Sequence, residues 1–168
     1  MRARSLLWCL GGWAAALPAT GIAAEMLTVG WIERVALASD GVVIAAKLDT
    51  GADTSSLHAT GIRAFARDGA DWVAFEVVGQ NGVKVGFERQ VVRVARVRRA
   101  SGGVQKRPTI LMGVCLGKVY RVTEVNLTDR TGFNYEMLLG RSFLADHFAV
   151  DSALTYSVEP ACPEAHAR

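Results

Sequence analysis

An acidic turn that directly follows an apolar strand is the sequence feature that most constrains the fold of this chain. Residues 47–59 read K-L-D-T-G-A-D-T-S-S-L-H-A, and the apolar run at 42–48 predicts a strand that ends at Asp49. Thr50, Gly51 and Ala52 add little bulk, and the glycine permits a tight turn or the close approach of another chain. The segment therefore predicts one carboxylate exposed at a turn.

Short β-rich runs separated by turn signals continue along the rest of the chain. Asn81-Gly82 is a strong two-residue hairpin signal, and further turn signals lie at 39–41, 67–70, 101–103 and 129–132. Many short strands at close spacing favour an all-β fold, here a small closed barrel. One short C-terminal helix is predicted at 141–147, because residues 141–145 contain no helix breaker. The β-rich runs lie at 27–38, 42–48, 72–78, 83–97, 105–112, 119–128, 133–139, 148–150 and 154–158, with a loop at 113–117.

The N-terminal segment has the pattern of a secretory signal peptide. A basic end with Arg2 and Arg4 precedes a mostly hydrophobic run at 6–17, and small residues suitable for cleavage follow at 18–24. Removal of residues 1–24 would leave one domain at 25–160 and a polar tail at 161–168. We expect a periplasmic or secreted protein with no stable membrane anchor after cleavage. An uncleaved N-terminal anchor is the alternative.

The net charge bears on nucleic-acid binding, and the cysteines bear on disulfide formation. The whole chain has 19 Lys plus Arg and 16 Asp plus Glu, and loss of Arg2 and Arg4 would bring it close to neutrality. Such a balance gives no general argument for nucleic-acid binding. Cys115 and Cys162 would remain after cleavage, either as a disulfide of an exported protein or as two free thiols.

Two distant segments together resemble a known family of peptidases. D-T-G-A at 49–52, with M-L-L-G-R at 137–141, resembles the retropepsins, the dimeric aspartic peptidases of retroviruses and their bacterial relatives. The bacterial branch labelled "ATP-dependent zinc proteases" carries D-T-G-A-x-T-S-x-L-H-A and a later L-T-D-R, which match residues 49–59 and 127–130. The resemblance covers residues 29–158 and implies the closed all-β fold of the retropepsins.

This resemblance implies a catalytic mechanism that needs two carboxylates. In an aspartic peptidase two acids about 3 Å apart share one proton, one serving as base toward a water and the other as acid. The chain contains one D-T-G, so the second Asp49 would come from a symmetry mate in a homodimer. The catalytic residues would be Asp49, Thr50 and Gly51, with Thr50 holding the two loops together. Asp151, in V-D-S-A, is the rival second acid within one chain and is more simply read as a turn residue.

The resemblance also assigns residues around the catalytic turn. Ala52 and Asp53 would contact substrate backbone, and Arg141 would form an ion pair with Asp53, partly buried at the dimer contact. The alternative interpretation is that Asp53 is a solvated acidic residue of the turn. Gly140 and Arg141 would support the turn structurally. Asp129 and Arg130, in L-T-D-R, are expected to tie a turn together, with a role in supporting the site left open.

A retropepsin also needs a flap, a mobile hairpin that closes over the bound peptide. The order of the predicted strands places its tip at Ser101, Gly102 and Gly103, which would bind substrate. The hairpin at 72–97 would then be an insertion relative to the minimal viral enzyme. Basic residues flank the tip and either solvate an exposed ribbon or favour acidic, glutamate-rich peptides; they are Arg98, Arg99, Lys106 and Arg107.

The residues give no support for the zinc and the ATP in that family label. His58, His147 and His166 are scattered, no H-E-x-x-H is present, and His58 is expected to be a hydrogen-bonded structural residue. The segment G-V-C-L-G-K at 113–118 falls one residue short of a phosphate-binding loop. We therefore expect an exported aspartic endopeptidase without a cofactor that acts on peptide or protein substrates. The alternatives are a zinc peptidase, as the label states, and a catalytically inactive peptide-binding barrel.

Overall fold

The computed structural model describes residues 25–37, 42–98 and 102–163. The predicted signal peptide at 1–24, the turn at 39–41 and the end of the tail at 164–168 lie outside these residues. An all-β fold with one short helix is confirmed. Within the described residues the elements are β1 (Leu27–Leu37), β2 (Val42–Leu48), β3 (Ser55–His58), β4 (Thr60–Arg67), β5 (Ala70–Val78), β6 (Lys84–Arg98), β7 (Val104–Leu116), β8 (Val119–Thr128), β9 (Met137–Leu139), α1 (Arg141–Leu144) and β10 (Phe148–Thr155).

The strands form a ring with extensions on two sides. Hydrogen-bonded neighbours follow the order β10-β1-β2-β9-β3-β8-β7-β6-β5-β4. A second pairing of β1 with β7, through Ala36↔Cys115 and Leu37↔Val114, closes the ring β1-β2-β9-β3-β8-β7. β10 lies at the edge beside β1, while β6, β5 and β4 extend from β7 as antiparallel neighbours.

The core fills the ring with apolar side chains that alternate along the strands. In β2 the residues two apart are all buried, because successive side chains of a strand point to opposite faces. The short helix closes the core, and Phe143 stacks on Phe148 with ring centroids 5.5 Å apart. Buried residues of β2 and β7 in this core are Val42, Ile44, Ala46, Leu48, Ile110, Met112, Val114 and Leu116.

A buried carboxylate fastens the segment after β10 to β1. Glu33 is fully buried and accepts hydrogen bonds from the amides of Gly30 at 2.7 Å, Ser157 at 2.9 Å and Val158 at 3.3 Å. The Ser157 hydroxyl donates to the same carboxylate. These bonds offset the cost of removing a charged group from water. The C-terminal segment is therefore part of the folded body.

A disulfide ties the same segment to β7, the neighbour of β1 in the ring. Cys115 in β7 and Cys162 are bonded, with Cα atoms 6.0 Å apart, and both residues are buried. The amide of Ala161 also donates to the carbonyl of Gly117 at 2.7 Å. Of the two alternatives for the cysteines, the structure has the bridge. The segment expected as a polar tail thus begins with residues attached to the sheet.

Several predicted boundaries were wrong for local reasons. The expected loop at 113–117 is strand up to Leu116, and the chain turns only at Gly117, which has φ 56°. The two expected C-terminal strands are one continuous strand, β10, that includes Asp151. The helix ends at Leu144 rather than His147, because Ala145 leaves the helical conformation with ψ 140°. Sequence reasoning also missed β4 as a full strand, and β9 is shorter than the predicted run.

Candidate active site

Asp49 stands at the carboxyl end of β2, where the chain leaves the ring. Its amide donates to the carbonyl of Leu139 at 2.8 Å, and its own carbonyl accepts from the amide of Ala52 at 3.1 Å. The Gly51 amide donates to Asp49 Oδ1 at 3.1 Å. Asp49 is partly buried, whereas Thr50 and Gly51 are exposed. The predicted turn therefore presents one oriented carboxylate near the surface.

The D-T-G-A turn and the L-L-G-R segment form one hydrogen-bonded unit. β2 and β9 run parallel, and the Arg141 amide then donates to the carbonyl of Ala52 at 2.9 Å. The Gly140 amide donates to Ser55 Oγ at 3.1 Å. A Cβ atom on Gly140 would lie 2.6 Å from the carbonyl oxygen of Asp53, a distance that real Cβ contacts do not show. A glycine is therefore required where the two backbones meet.

The expected ion pair between Asp53 and Arg141 is present but weak in geometry. Arg141 Nη2 lies 3.5 Å from Asp53 Oδ1, and the two side chains are 52% and 78% exposed. A better contact is the hydrogen bond from Arg141 Nη1 to the carbonyl of Thr50 at 3.0 Å. The expected partial burial is not found within the single chain. Contact of Asp53 with substrate stays a prediction.

The L-T-D-R segment holds Arg130 by hydrogen bonds to residues after the D-T-G-A turn. β3 and β8 run parallel, and the Arg130 amide following β8 donates to His58 Nδ1 at 2.9 Å. The guanidinium of Arg130 donates from Nη1 to Ser56 Oγ and from Nε to the Tyr135 carbonyl, both at 3.2 Å. His58 is thus hydrogen-bonded within the structure, as its structural interpretation predicted. Arg130 is held in a fixed orientation.

The electrostatics of Arg130 connect it with Asp49. Partial burial lowers the pKa of Arg130, the positive charge of Arg107 lowers this pKa further, and the negative charge of Asp49 raises it. Both effects follow from proximity, because like charges disfavour and opposite charges favour the charged form. The charges of Arg107 and Asp49 therefore both act on Arg130. Sequence reasoning had left only a supporting role open for Arg130.

Asp129 organises the turn that carries Arg130. Its Oδ1 accepts from the Thr131 hydroxyl at 2.6 Å and from the Thr131 amide at 2.8 Å. These two hydrogen bonds, the hydroxyl first, lower the pKa of Asp129 below its ordinary value. This is the turn-tying role that the sequence predicted for Asp129.

Asp151, the rival second acid, lies away from the catalytic turn. In β10 it pairs with Gly30 of β1, and its Oδ1 accepts from the Ala153 amide at 2.8 Å. Because neighbouring strands are about 4.8 Å apart, a residue separated from β2 by the whole of β1 is about 10 Å away across the sheet. Asp49 and Asp151 of one chain therefore do not form a pair that could share a proton.

The β6–β7 hairpin has its tip where the flap was predicted. The last paired residues are Arg98 and Val104, and Gly102 and Gly103 have φ values of 90° and 83°. These left-handed conformations suit glycine, which accounts for the sequence of the tip. Ser101 lies outside the described residues. Binding of substrate by Gly102 and Gly103 stays a prediction.

The basic residues flanking this tip occupy different environments. Arg98 and Lys106 are exposed, and Arg99 lies outside the described residues. Arg107 is partly buried and donates to Gln105 Oε1 from Nε at 3.1 Å and from Nη2 at 2.9 Å. The segment expected as an inserted hairpin at 72–97 comprises most of β5 and β6, which pair with the additional strand β4.

Metal binding and phosphate binding have little support in the part of the chain that the structure describes. There, no group of three or more His, Cys, Asp or Glu side chains could hold a metal ion. The segment at 113–118 contains the end of β7 and the turn at Gly117 instead of a phosphate-binding loop before a helix. His166 lies outside the described residues. No helix within the described ranges is long and apolar enough to cross a membrane.

Sequence reasoning missed two serines that assemble the site. Ser55 accepts from the Gly140 amide, and Ser56 accepts from Arg130. Both are buried, although serine is mostly found at protein surfaces. Their signal was the T-S-x-L-H-A match at 54–59, which did not reveal that the two hydroxyls face different partners. They join the catalytic turn to the two downstream motifs.

An all-β ring with a D-T-G-A turn hydrogen-bonded to a Gly-Arg segment is the arrangement of a retropepsin-like protein. The model of the family described as "RimB-like: Retropepsin-like aspartic endopeptidase RimB" matches residues 28–160. The chain belongs to this family of retropepsin-like endopeptidases. The resemblance inferred from residues 49–59, 127–130 and 137–141 is thereby confirmed.

Individual relatives carry different descriptions. Proteins named probable alpha-L-glutamate ligases, from Shewanella halifaxensis and Parasynechococcus marenigrum, are 36% and 39% identical over 132 and 111 residues. The matches cover 76% and 64% of this chain, but 29% and 24% of those proteins. The chain thus spans about a quarter of the length of these curated relatives. Their name describes much longer proteins.

A solved structure agrees with the fold. A Legionella pneumophila protein described as of unknown function has a TM-score of 0.67 to this chain at 36% sequence identity. The similarity covers 79% of this chain and 98% of the Legionella chain. The fold of the present chain is thus close to that of a whole solved protein chain.

Proposed function

We propose that this chain is an aspartic endopeptidase whose active form is a homodimer, with one Asp49 from each subunit. The observation that carries the proposal is the single D-T-G-A turn of the sequence, which holds one oriented carboxylate near the surface. Asp151, the internal alternative, is about 10 Å away across β1. A twofold axis beside the exposed residues Thr50 and Gly51 would bring the two Asp49 side chains together.

The mechanism follows from two carboxylates that share one proton. The ionised Asp49 takes a proton from a water, whose oxygen attacks the scissile carbonyl carbon, while the protonated Asp49 gives its proton to the carbonyl oxygen. A proton then passes to the amide nitrogen, and the C–N bond of the tetrahedral intermediate breaks. The Gly51 amide, 3.1 Å from Asp49 Oδ1, would hold the carboxylate in orientation through these steps.

The exposed edge strand β10 supports self-association. β10 is an edge strand, and its residues 152–155 are exposed, together with Tyr156 and Ser157. Leu154 and Tyr156 of this edge are 41% and 42% exposed. An exposed edge strand offers unpaired amide and carbonyl groups to a second chain. A second copy of β10 is the partner we propose for it.

Export is proposed on two independent grounds. Residues 1–24 have the basic, hydrophobic and small-residue pattern of a signal peptide. The buried Cys115–Cys162 disulfide is a kind of bond that forms in oxidising compartments such as the periplasm. Both features fit a protein that matures outside the cytoplasm.

The names of the ligase relatives favour a second candidate function. Because this chain spans about a quarter of those proteins, their ligase activity is not carried over to it. We propose instead that the matching region works beside a glutamate-ligating unit and binds or cuts peptides that contain glutamate. If the chain binds such peptides without cutting them, it is a peptide-binding domain.

The Asp49→Asn variant tests the peptidase proposal directly. It removes the ionisable group and keeps the shape, so cleavage of a peptide library should be lost while the melting temperature stays near that of the wild type. Asp151→Asn is the matched control and should retain full activity. Unchanged cleavage by Asp49→Asn would overturn the aspartic mechanism, and loss of wild-type activity on chelation would point to the zinc alternative. Peptide binding without any cleavage would favour the binding domain.

A further inference from the structure

Charge is divided unevenly between the ring and the strands that extend from it. Residues 60–98 and 104–108, which form β4, β5, β6 and the start of β7, contain nine Lys or Arg and four Asp or Glu, a balance of +5. The other described residues contain six Lys or Arg and ten Asp or Glu, a balance of −4. The extension is therefore basic, and the ring that carries Asp49 is acidic.

One face of the β6–β7 hairpin combines basic and aliphatic side chains. Paired residues of antiparallel strands share a face. The pairs that form this face, here called the basic face, are Arg96↔Lys106, Arg98↔Val104 and Val94↔Pro108. Successive residues of a strand point to opposite faces, so Gln105 is on the other face, where it donates to Thr128 Oγ1 of β8 at 3.3 Å. The basic face is therefore turned away from this contact with β8.

The basic face is open to solvent. Val94 and Val104 are 54% and 60% exposed, and Arg96, Arg98 and Lys106 are exposed as well. In the part of the chain that the structure describes, none of these three basic side chains forms an ion pair. The face thus presents positive charges interleaved with aliphatic side chains.

An apolar groove of about 490 Å³ adjoins the basic face. Residues of β4, β5, β6 and β7 line it, and Val94 and Lys106 belong both to the groove and to the basic face. Phe65 and Trp72, from β4 and β5, add aromatic surface to the groove, with ring centroids 6.4 Å apart. Arg67 lies over both rings, 5.1 Å and 4.6 Å from their centroids. Apolar surface and positive charge are thus continuous from the hairpin into the groove.

We propose that the basic face and the groove form a docking surface for a bilayer that contains anionic phospholipids. Lipid phosphates would meet Arg96, Arg98 and Lys106, while the valines and the aromatic rings would lie at the boundary of the acyl chains. Aliphatic side chains placed between the basic ones favour lipid over other polyanions, because they gain free energy on transfer to hydrocarbon. Asp71 is the one acid among the residues that line the groove. Such docking needs no cleavage and stands apart from the peptidase proposal.

Vesicle flotation measures this docking. The full chain is mixed with vesicles of phosphatidylcholine, alone or with an equal amount of phosphatidylglycerol, at low and at physiological salt. Binding to the anionic vesicles should exceed binding to the neutral ones and should weaken with salt. A basic residue near an anionic surface is worth about fivefold in affinity, so Arg96→Gln with Arg98→Gln should weaken binding about 25-fold. Lys47→Gln with Lys118→Gln, the same change of charge in the ring, should bind like the wild type.

The valines distinguish lipid from other anions. Val94→Ser with Val104→Ser keeps every charge and should weaken binding to anionic vesicles about tenfold, because less apolar surface enters the bilayer. The matched control is Val83→Ser with Val122→Ser, since both valines are exposed outside the basic face. Loss of binding in the arginine variant alone, with the valine variant unaffected, would indicate a site for nucleic acid or an acidic protein and would overturn lipid docking. Equal binding to neutral and anionic vesicles, or an arginine variant that binds like its lysine control, would overturn it as well.

Discussion

Arg141 donates from Nη1 to the backbone carbonyl of Thr50 at 3.0 Å, a shorter contact than its 3.5 Å ion pair with Asp53. The arginine of the downstream motif therefore contacts mainly the backbone of the D-T-G-A turn. The Asp53 carboxylate is mostly exposed, and water screens its interaction with Arg141. Asp53 and Arg141 should therefore contribute unequally to stability and to activity.

Substitution of Asp53 and of Arg141 should have unequal effects. Asp53→Asn removes only an exposed ion pair, so the free energy of unfolding should change by less than about 1 kcal/mol. Arg141→Ala also removes the hydrogen bond to the Thr50 carbonyl. It should lower kcat strongly, with a smaller effect on the free energy of unfolding. Chemical denaturation and peptide kinetics on both variants measure this. Equal losses of activity in the two variants would contradict a separate role for the Thr50 contact.

Gly140→Ala should disrupt the junction of the two motifs. Its Cβ would lie 2.6 Å from the carbonyl oxygen of Asp53, and the backbones must separate to admit it. We expect a loss of about 1–3 kcal/mol in the free energy of unfolding. Gly86→Ala is the control, because a Cβ there meets nothing within 4 Å and its φ is not in the left-handed region. Similar urea midpoints for the two variants would show that the junction tolerates a side chain.

The Cys115–Cys162 disulfide closes a loop with a sequence separation of 47 residues. By the chain-entropy account, its removal should cost about 4 kcal/mol. The double variant Cys115→Ser with Cys162→Ser should unfold at lower denaturant than the oxidised wild type. Added reductant should bring the wild type to the same midpoint and leave the double variant unchanged. Thiol titration would show when the wild type is completely reduced. An unchanged denaturant midpoint in the reduced wild type would contradict this prediction.

The turn that carries Arg130 should be sensitive to acid. The pKa of Asp129 is lowered by the hydroxyl and then the amide of Thr131, so its contribution to stability is present above the unfolded pKa of about 3.9. That contribution is lost as the pH falls through the lower, folded pKa. Asp129→Ala should thus melt below the wild type at pH 7, with the gap closing in strong acid. Thr131→Val should show the same trend, and a gap that is constant with pH would exclude the carboxylate as its cause.

The sequence was informative where local pattern and packing agree. The β-rich runs at 27–38 and 42–48 predicted β1 and β2 closely, and the buried residues of both strands face the core. The sequence alone associates the D-T-G-A and L-L-G-R segments, because together they resemble one family. Their junction at Gly140 and Asp53 agrees with that pairing.

Contacts made through the backbone or between distant residues were beyond sequence reasoning. The sequence gives no sign that Glu33 is buried. Its partners are amides at Gly30 and at 157–158, which only the folded chain brings to it. The closure of β1 on β7 is made by two pairs of residues and has no local signal in the sequence. The convergence of Arg107 and Arg130 likewise depends on how β7 and β8 pair.

The requirement for two Asp49 carboxylates is tested most directly by mixing subunits. A fixed amount of wild type is combined with increasing Asp49→Asn, subunit exchange is confirmed with differently tagged chains, and cleavage is measured. If each active site needs one Asp49 from each chain, mixed dimers are inactive and wild-type activity should fall toward zero as the variant comes into excess. Full wild-type activity in a large excess of exchanging variant would mean that one chain carries a complete site, and would contradict the dimeric mechanism.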